Sequence, residues 1–156
     1  MPWAQDYDLA AARAFLATAE RGWEERTDHM YALVVPDGTV VGSCGLHARL
    51  GPGRLEVGYW VRSSHTGRGF ASLAAAGLTA EALRLEDVGQ VEIHCDRANQ
   101  RSAMIPRRLG FRLVEVLPDD VLAPGQEGVE LVWRMEARSF RTSPARRLLD
   151  EAGASV

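Results

Sequence analysis

At 156 residues, with 46% hydrophobic and 25% charged residues, the chain has the size and composition of one soluble globular domain with a real core. A net charge of −3 gives no global pull toward nucleic acid, and no apolar run has the length of a membrane span or the form of a signal peptide. All 18 basic residues are arginine, which excludes a Schiff-base lysine and a P-loop lysine.

Asp8 predicts an N-cap for a helix running to about residue 25, with Leu9, Ala12, Leu16, Ala19 and Trp23 on one face. Residues 30–35 and 40–46 read as a β-hairpin around Pro36, Asp37, Gly38 and Thr39. A turn at Gly51, Pro52 and Gly53 leads into a strand over 55–62. Alternation sets Glu56, Gly58 and Trp60 on one face of it, and Val57, Tyr59 and Val61 on the other. A glycine-bearing turn then opens an alanine-rich helix expected over 70–85. A short strand over 91–95 precedes a helix capped by Asn99 and closed by Gly110. Strands over 112–117 and 129–136 follow, joined by an acidic loop.

The segment 137–156 holds four arginines and two acids. A short helix over 144–152 suits Pro144 in its first turn, within an otherwise partly ordered terminus. The expected architecture is α/β or α+β: a central, mainly antiparallel sheet with helices on both faces. The division is a domain over 1–136 and an arginine-containing tail over 137–156. Cys44 and Cys95 lie in strands without paired spacing. They read as buried small hydrophobes in a reducing cytoplasm, and no His/Asp/Glu spacing suggests a metal.

The chemistry concentrates in residues 56–111. A strand that runs into a glycine turn at a helix start exposes several backbone N–H groups, which suits phosphate oxygens. The joint occurrence of Glu56-x-Gly58-Tyr59-Trp60, Gly67-x-Gly69-Phe70-Ala71, Asn99-x-x-Ser102 and Leu109-Gly110-Phe111 resembles the RimJ/RimL-like branch of the GNAT N-acetyltransferases. The resemblance covers roughly residues 30–136. The family pattern has Gln or Arg at the first place of the turn, where this chain has Thr66.

The resemblance implies an acetyl-CoA co-substrate, or another acyl-CoA, and no metal. Backbone groups of Trp60, Val61 and Arg62 would pair with the pantetheine arm like an added strand. Amides over Thr66, Gly67, Arg68, Gly69, Phe70 and Ala71 would hold the pyrophosphate, and Asn99 would bond the arm. Arg101, Arg107 and Arg108 are candidates for the adenosine 3′-phosphate, against the plainer reading of surface arginines. Glu56 matches a general-base position, provided burial beside Trp60 raises its pKa. Ser102 falls where a hydroxyl meets the leaving thiolate; relatives often use a tyrosine later in the chain, and none follows Tyr59. A backbone N–H near Val61 would hold the oxyanion. His94 is an alternative base, and His65 is expected at the surface. Pro106 removes the helical bond to the Ser102 carbonyl and leaves an acceptor free there.

Relatives begin with a strand and a helix before a segment like Pro2-Trp3, whereas this chain lacks an obvious first strand: either its start is truncated or the sheet loses one strand. In the second case the sheet exposes an edge, which makes a homodimer an expectation. The acceptor would be a peptide N-terminus or small cationic amine, drawn by an acidic mouth of Glu56, Asp119, Asp120 and Glu127, with no nucleic acid or membrane partner. Two other readings stand beside the acyltransferase. One is a non-catalytic acyl-CoA-binding or regulatory module. The weaker one is a nucleotide-binding domain built on the glycine turn.

Overall fold

The computed structural model describes residues 8–153. Six strands form one sheet in the order β1-β2-β3-β4-β6-β5: β1 Asp28–Val34, β2 Val40–His47, β3 Arg54–Val61, β4 Gln90–Asp96, β5 Arg112–Pro118 and β6 Val129–Glu136. Every neighbouring pair is antiparallel except β3 and β4. That parallel step needs a crossover, and helix α2 (Phe70–Ala82) supplies it. The other helices are α1 (Leu9–Glu25), α3 (Gln100–Leu109), the short α4 (Ala137–Phe140) and α5 (Pro144–Glu151).

Local chemistry explains most boundaries. The Asp8 side chain accepts from the Ala11 N–H at 2.8 Å and starts α1. Asn99 and Ser143 cap α3 and α5 in the same way. Gly110, at φ 87°, ends α3 in the left-handed conformation that glycine adopts without penalty. Helix α2 stops at Ala82, short of the expected residue 85, and Leu85 is exposed.

The core lies under α2, α3 and α5. Ala75, Ala76, Ala80 and Ala82 of α2 meet Val57, Val91, Ile93 and Met135 of the sheet, and small alanines allow the helix to lie close. The tail departs from the expectation of a partly ordered terminus. Phe140, Ala145 and Leu149 are buried in the same core, so residues up to the end of α5 complete the hydrophobic layer. The predicted apolar face of α1 also behaves differently, because Leu9, Leu16 and Trp23 are exposed. Trp23 instead sets its ring edge against His29 and Tyr31 and donates Nε1–H to the Met30 carbonyl at 3.1 Å.

The feature that positions the site is the short β3–β4 ladder. The strands pair only from Arg54 opposite Gln90 to Glu56 opposite Glu92. Beyond that rung they diverge, and the sheet opens into a V.

Candidate functional site

A cleft of about 620 Å³ fills the V between β3, the glycine turn and α3, within the range of small-molecule sites. Of the expected cofactor contacts it is lined by Trp60, Val61, Thr66, Gly67, Gly69, Phe70, Ala71, Asn99 and Ser102. Arg62 and Arg68 are not in its lining; Arg101 and Arg108 are, and Arg107 is not. His65, expected at the surface, also reaches it, as do Ser72, Met104 and Ile105. The further lining residue that sequence reasoning passed over is Tyr59. Its sequence signals were a place in the Glu56-x-Gly58-Tyr59-Trp60 motif and a place on the strand face opposite Glu56.

One wall presents unpaired backbone donors. Gly69 caps α2 at φ 83° with no side-chain hydrogen bond, and the first bond of the helix runs from Leu73 N–H to the Gly69 carbonyl at 2.9 Å. The N–H groups of Phe70, Ala71 and Ser72 therefore have no acceptor within the helix, and the helix dipole adds partial positive charge there. Thr66 turns inward on its own loop, donating Oγ1–H to the Ser63 carbonyl at 3.0 Å. Just past β3, the Arg62 N–H donates to the Val41 carbonyl of β2 at 2.8 Å. Alternation along an antiparallel strand turns the backbone of Trp60 toward β2 as well. The backbone groups left facing the V are those of Tyr59 and Val61.

Ser102 is held from three directions. Its N–H donates to Asn99 Oδ1 at 3.1 Å, its Oγ–H donates to the Tyr59 hydroxyl at 3.4 Å, and its carbonyl accepts from that hydroxyl at 3.3 Å. The carbonyl is available because Pro106 has no N–H to fill it. Burial pushes the Tyr59 phenol up to about 12, against the opposing hydrogen bond to Ser102. An ordinary thiol titrates near 8.5, so proton transfer from such a phenol to a thiolate runs uphill by about 3.5 pK units, or about 5 kcal/mol. Burial thus favours the protonated phenol, which donates a hydrogen bond to the Ser102 carbonyl and accepts one from its hydroxyl. Burial likewise pushes the Cys44 and Cys95 thiols up, which suits inert core residues.

The sheet face opposite α2 carries the ionisable groups. Register brings Asp28, His47, Glu56, Glu92, Arg134 and Arg112 into one row across all six strands. The Glu56–Glu92 rung of that row is the apex of the V. Glu56 is buried, but Arg49 binds both its oxygens, one at 2.7 Å. This ion pair, rather than Trp60, is its immediate environment. Glu92 is 2% exposed; Arg134 donates to its Oε1 at 2.7 and 2.8 Å and His94 reaches its Oε2 at 2.8 Å. Burial alone would raise the Glu92 carboxyl, but these hydrogen bonds outweigh it and hold it below the usual range. The His94 Nδ1 lies 3.2 Å from Glu130, so both ring nitrogens face carboxylates.

None of the acids of the expected mouth lines the cleft, and three of them have local partners. Glu127 pairs with Arg97 at 2.6 Å, Glu56 with Arg49, and Asp119 accepts from the Asp120 N–H at 2.8 Å. Among the described residues no group of three or more His, Cys, Asp or Glu could hold a metal, and no helix is long and apolar enough to cross a membrane.

The model of the acetyltransferase (GNAT) domain family matches residues 1–112. Among curated proteins none matches this sequence. Solved structures share the fold. Mycobacterium smegmatis RimJ in complex with a CoA disulfide is 21% identical over 99% of this chain and 74% of its own, with a TM-score of 0.76. RimL, a ribosomal-protein alpha-N-acetyltransferase in complex with coenzyme A, is 20% identical over 83% of this chain and 73% of its own, at 0.74. A chimera of the Vibrio cholerae spermidine N-acetyltransferase SpeG and hSSAT is 11% identical over 83% and 78%, at 0.70.

Proposed function

Since this chain belongs to the GNAT acetyltransferase family, we propose that it moves an acetyl group from acetyl-CoA to a primary amine by direct attack. The observation that carries this is the cleft itself. It joins an uncapped α2 N-terminus to an unpaired β3 edge, so a pyrophosphate and an extended amide-bearing arm find donors and acceptors in sequence.

The neutral amine nitrogen attacks the thioester carbonyl carbon, forming the C–N bond. The carbonyl oxygen becomes an oxyanion that the Tyr59 or Val61 N–H can hold. The C–S bond then breaks, and the second proton that the nitrogen loses passes through solvent to the leaving thiolate. Ser102, whose Oγ–H would turn from the Tyr59 hydroxyl to the sulfur, is the group we assign to hydrogen-bond that thiolate. Glu56 was the sequence candidate for the base. With both oxygens held by Arg49, we assign it to shaping the acceptor side, since a bidentate guanidinium occupies the oxygens that would have to meet the amine.

The acceptor class we propose is a peptide N-terminus or a small cationic amine, the kinds named for RimL and for the spermidine enzyme. Two buried, unbridged cysteines support a reducing, cytoplasmic setting. We also propose a homodimer through the β1 edge, which has no strand partner on its outer side among the described residues and presents exposed Tyr31 and Val34. Light scattering at micromolar concentration tests it, and a monomer would exclude it.

The activity is tested by mixing the protein with acetyl-CoA and an Ala-initiated peptide, a Ser-initiated peptide or spermidine, and following free thiol. Amine-dependent thiol release is expected, slowed roughly tenfold or more in Ser102→Ala. Calorimetric CoA binding without release would mark a binding module instead.

A further inference from the structure

Three groups near the apex of the V could take a proton from the incoming amine, and their partners separate them. Both Glu56 oxygens are bonded by Arg49. Both His94 nitrogens face carboxylates, Glu92 on one side and Glu130 on the other. His47 is different. It stands opposite Asp28 in the β1–β2 register, and its Nδ1 donates to Asp28 Oδ1. That bond puts the ring proton on Nδ1 and leaves a bare lone pair on Nε2.

His47 does not itself line the cleft; it stands opposite Glu56 in the β2–β3 register, and its ring reaches across the sheet face toward β3. The next positions on the same face are Gly45 on β2 and Gly58 on β3, directly opposite each other. A Cβ at Gly58 would stand 3.0 Å from His47 Nε2, and one at Gly45 3.4 Å from it. The ring therefore lies over two residues that have no side chain, and Nε2 sits above β3. Gly58 is the first β3 residue on this face past the last β3–β4 rung, and its neighbour Tyr59 lines the cleft from the other face. The His47 side chain is 14% exposed, enough to meet a small amine from solvent.

We propose that the Asp28–His47 pair is the base for the acceptor amine, with His47 the catalytic residue and Asp28 its positioning residue; this rests on the acetyl-transfer reading. In the step, the ammonium N–H bond breaks, its proton passes to His47 Nε2, and the imidazolium is stabilised by Asp28. The freed amine attacks the thioester, and His47 returns its proton to solvent after the thiol leaves. The charged groups around the pair are Asp28 on β1, Arg49 after β2, Glu56 on β3 and Glu130 on β6, the last acting through the field at Arg49. Their sum is negative, which favours a cationic acceptor.

The test compares wild type, His47→Gln and Asp28→Asn with the same three amines. His47→Gln should lose roughly 10²-fold in kcat/KM for a peptide amine at pH 7, with the KM for acetyl-CoA unchanged. Because an α-amine loses its own proton near pH 8, the deficit should shrink as pH rises to 9. Asp28→Asn should lose about tenfold with the same pH trend. A His47→Gln enzyme within twofold of wild type at pH 7, or a deficit unchanged at pH 9, overturns the proposal. Unchanged CoA affinity by calorimetry checks that the variants fold. If they do not, nitrogen NMR of wild type with CoA decides: a bare Nε2 on His47 supports the pair, and Nε2–H overturns it. A wild type that binds CoA but releases no thiol with any amine removes the acetyl-transfer reading and the base role with it. A wild type that turns over and is matched by His47→Gln removes the base role alone.

Discussion

Ser102, Tyr59 and Pro106 behave as one unit although they come from a strand and two places on a helix. Proline at 106 withholds an N–H from the Ser102 carbonyl, and the Tyr59 hydroxyl takes its place. Such a bond is worth about 1 kcal/mol. Tyr59→Phe should therefore destabilise the protein by about 1 kcal/mol in urea melts. In a Pro106→Ala background, where a helical N–H can satisfy that carbonyl, the same substitution should cost less than half as much. Equal costs in both backgrounds would show that Tyr59 and Pro106 are independent. Glu92 gives a second expectation at this scale. Its carboxyl is held below its ordinary value, so its contribution is complete above the unfolded pKa, about 4.3, and is lost as pH falls through the lower folded value. Thermal melts from pH 6 to 3 should show stability falling in the acid range. Glu92→Gln should be destabilised near neutral pH, by about 3 kcal/mol for a broken buried pair, and should fall less steeply in acid.

At the scale of elements, the start of α2 joins fold to function. Gly69 adopts φ 83°, and a Cβ there would meet nothing within 4 Å. The cost of Gly69→Ala is thus conformational strain alone, about 1–2 kcal/mol, and it falls on the turn that aims the Phe70, Ala71 and Ser72 amides. CoA affinity by calorimetry should weaken by roughly tenfold; an unchanged affinity would place the pyrophosphate elsewhere. These elements were legible in advance because their signals are local. Asn99, Gly110 and the turn glycines act within four residues of themselves, and β6 begins and ends where its alternation does. Helix α1 was legible as a helix but not in its packing. Periodicity marks an apolar face without saying what covers it, and Leu9 and Leu16 remain exposed.

For the molecule as a whole, the C-terminal segment is part of the domain core. Leu149 is 2% exposed and packs with Phe140 and Ala145 into the layer that holds α2. Leu149→Ala should cost about 2–4 kcal/mol in chemical denaturation. A loss within 0.5 kcal/mol would mean that α5 is only peripherally attached. Composition hid this, because four arginines over a short stretch read as solvated surface while the apolar residues between them were few.

By itself the sequence determined the parts that we propose hold the cofactor: a glycine turn, a helix start and a strand edge, each produced by residues adjacent in the chain. Only the tertiary structure decided the part that we propose receives the acceptor. Asp28, His47, Glu56, Glu92 and Arg134 are scattered over more than a hundred positions, and strand register alone sets them in one row at the apex of the V. Whether a carboxylate or an imidazole there keeps a free lone pair depends on its neighbour across the strands. Spacing along the chain does not encode that neighbour.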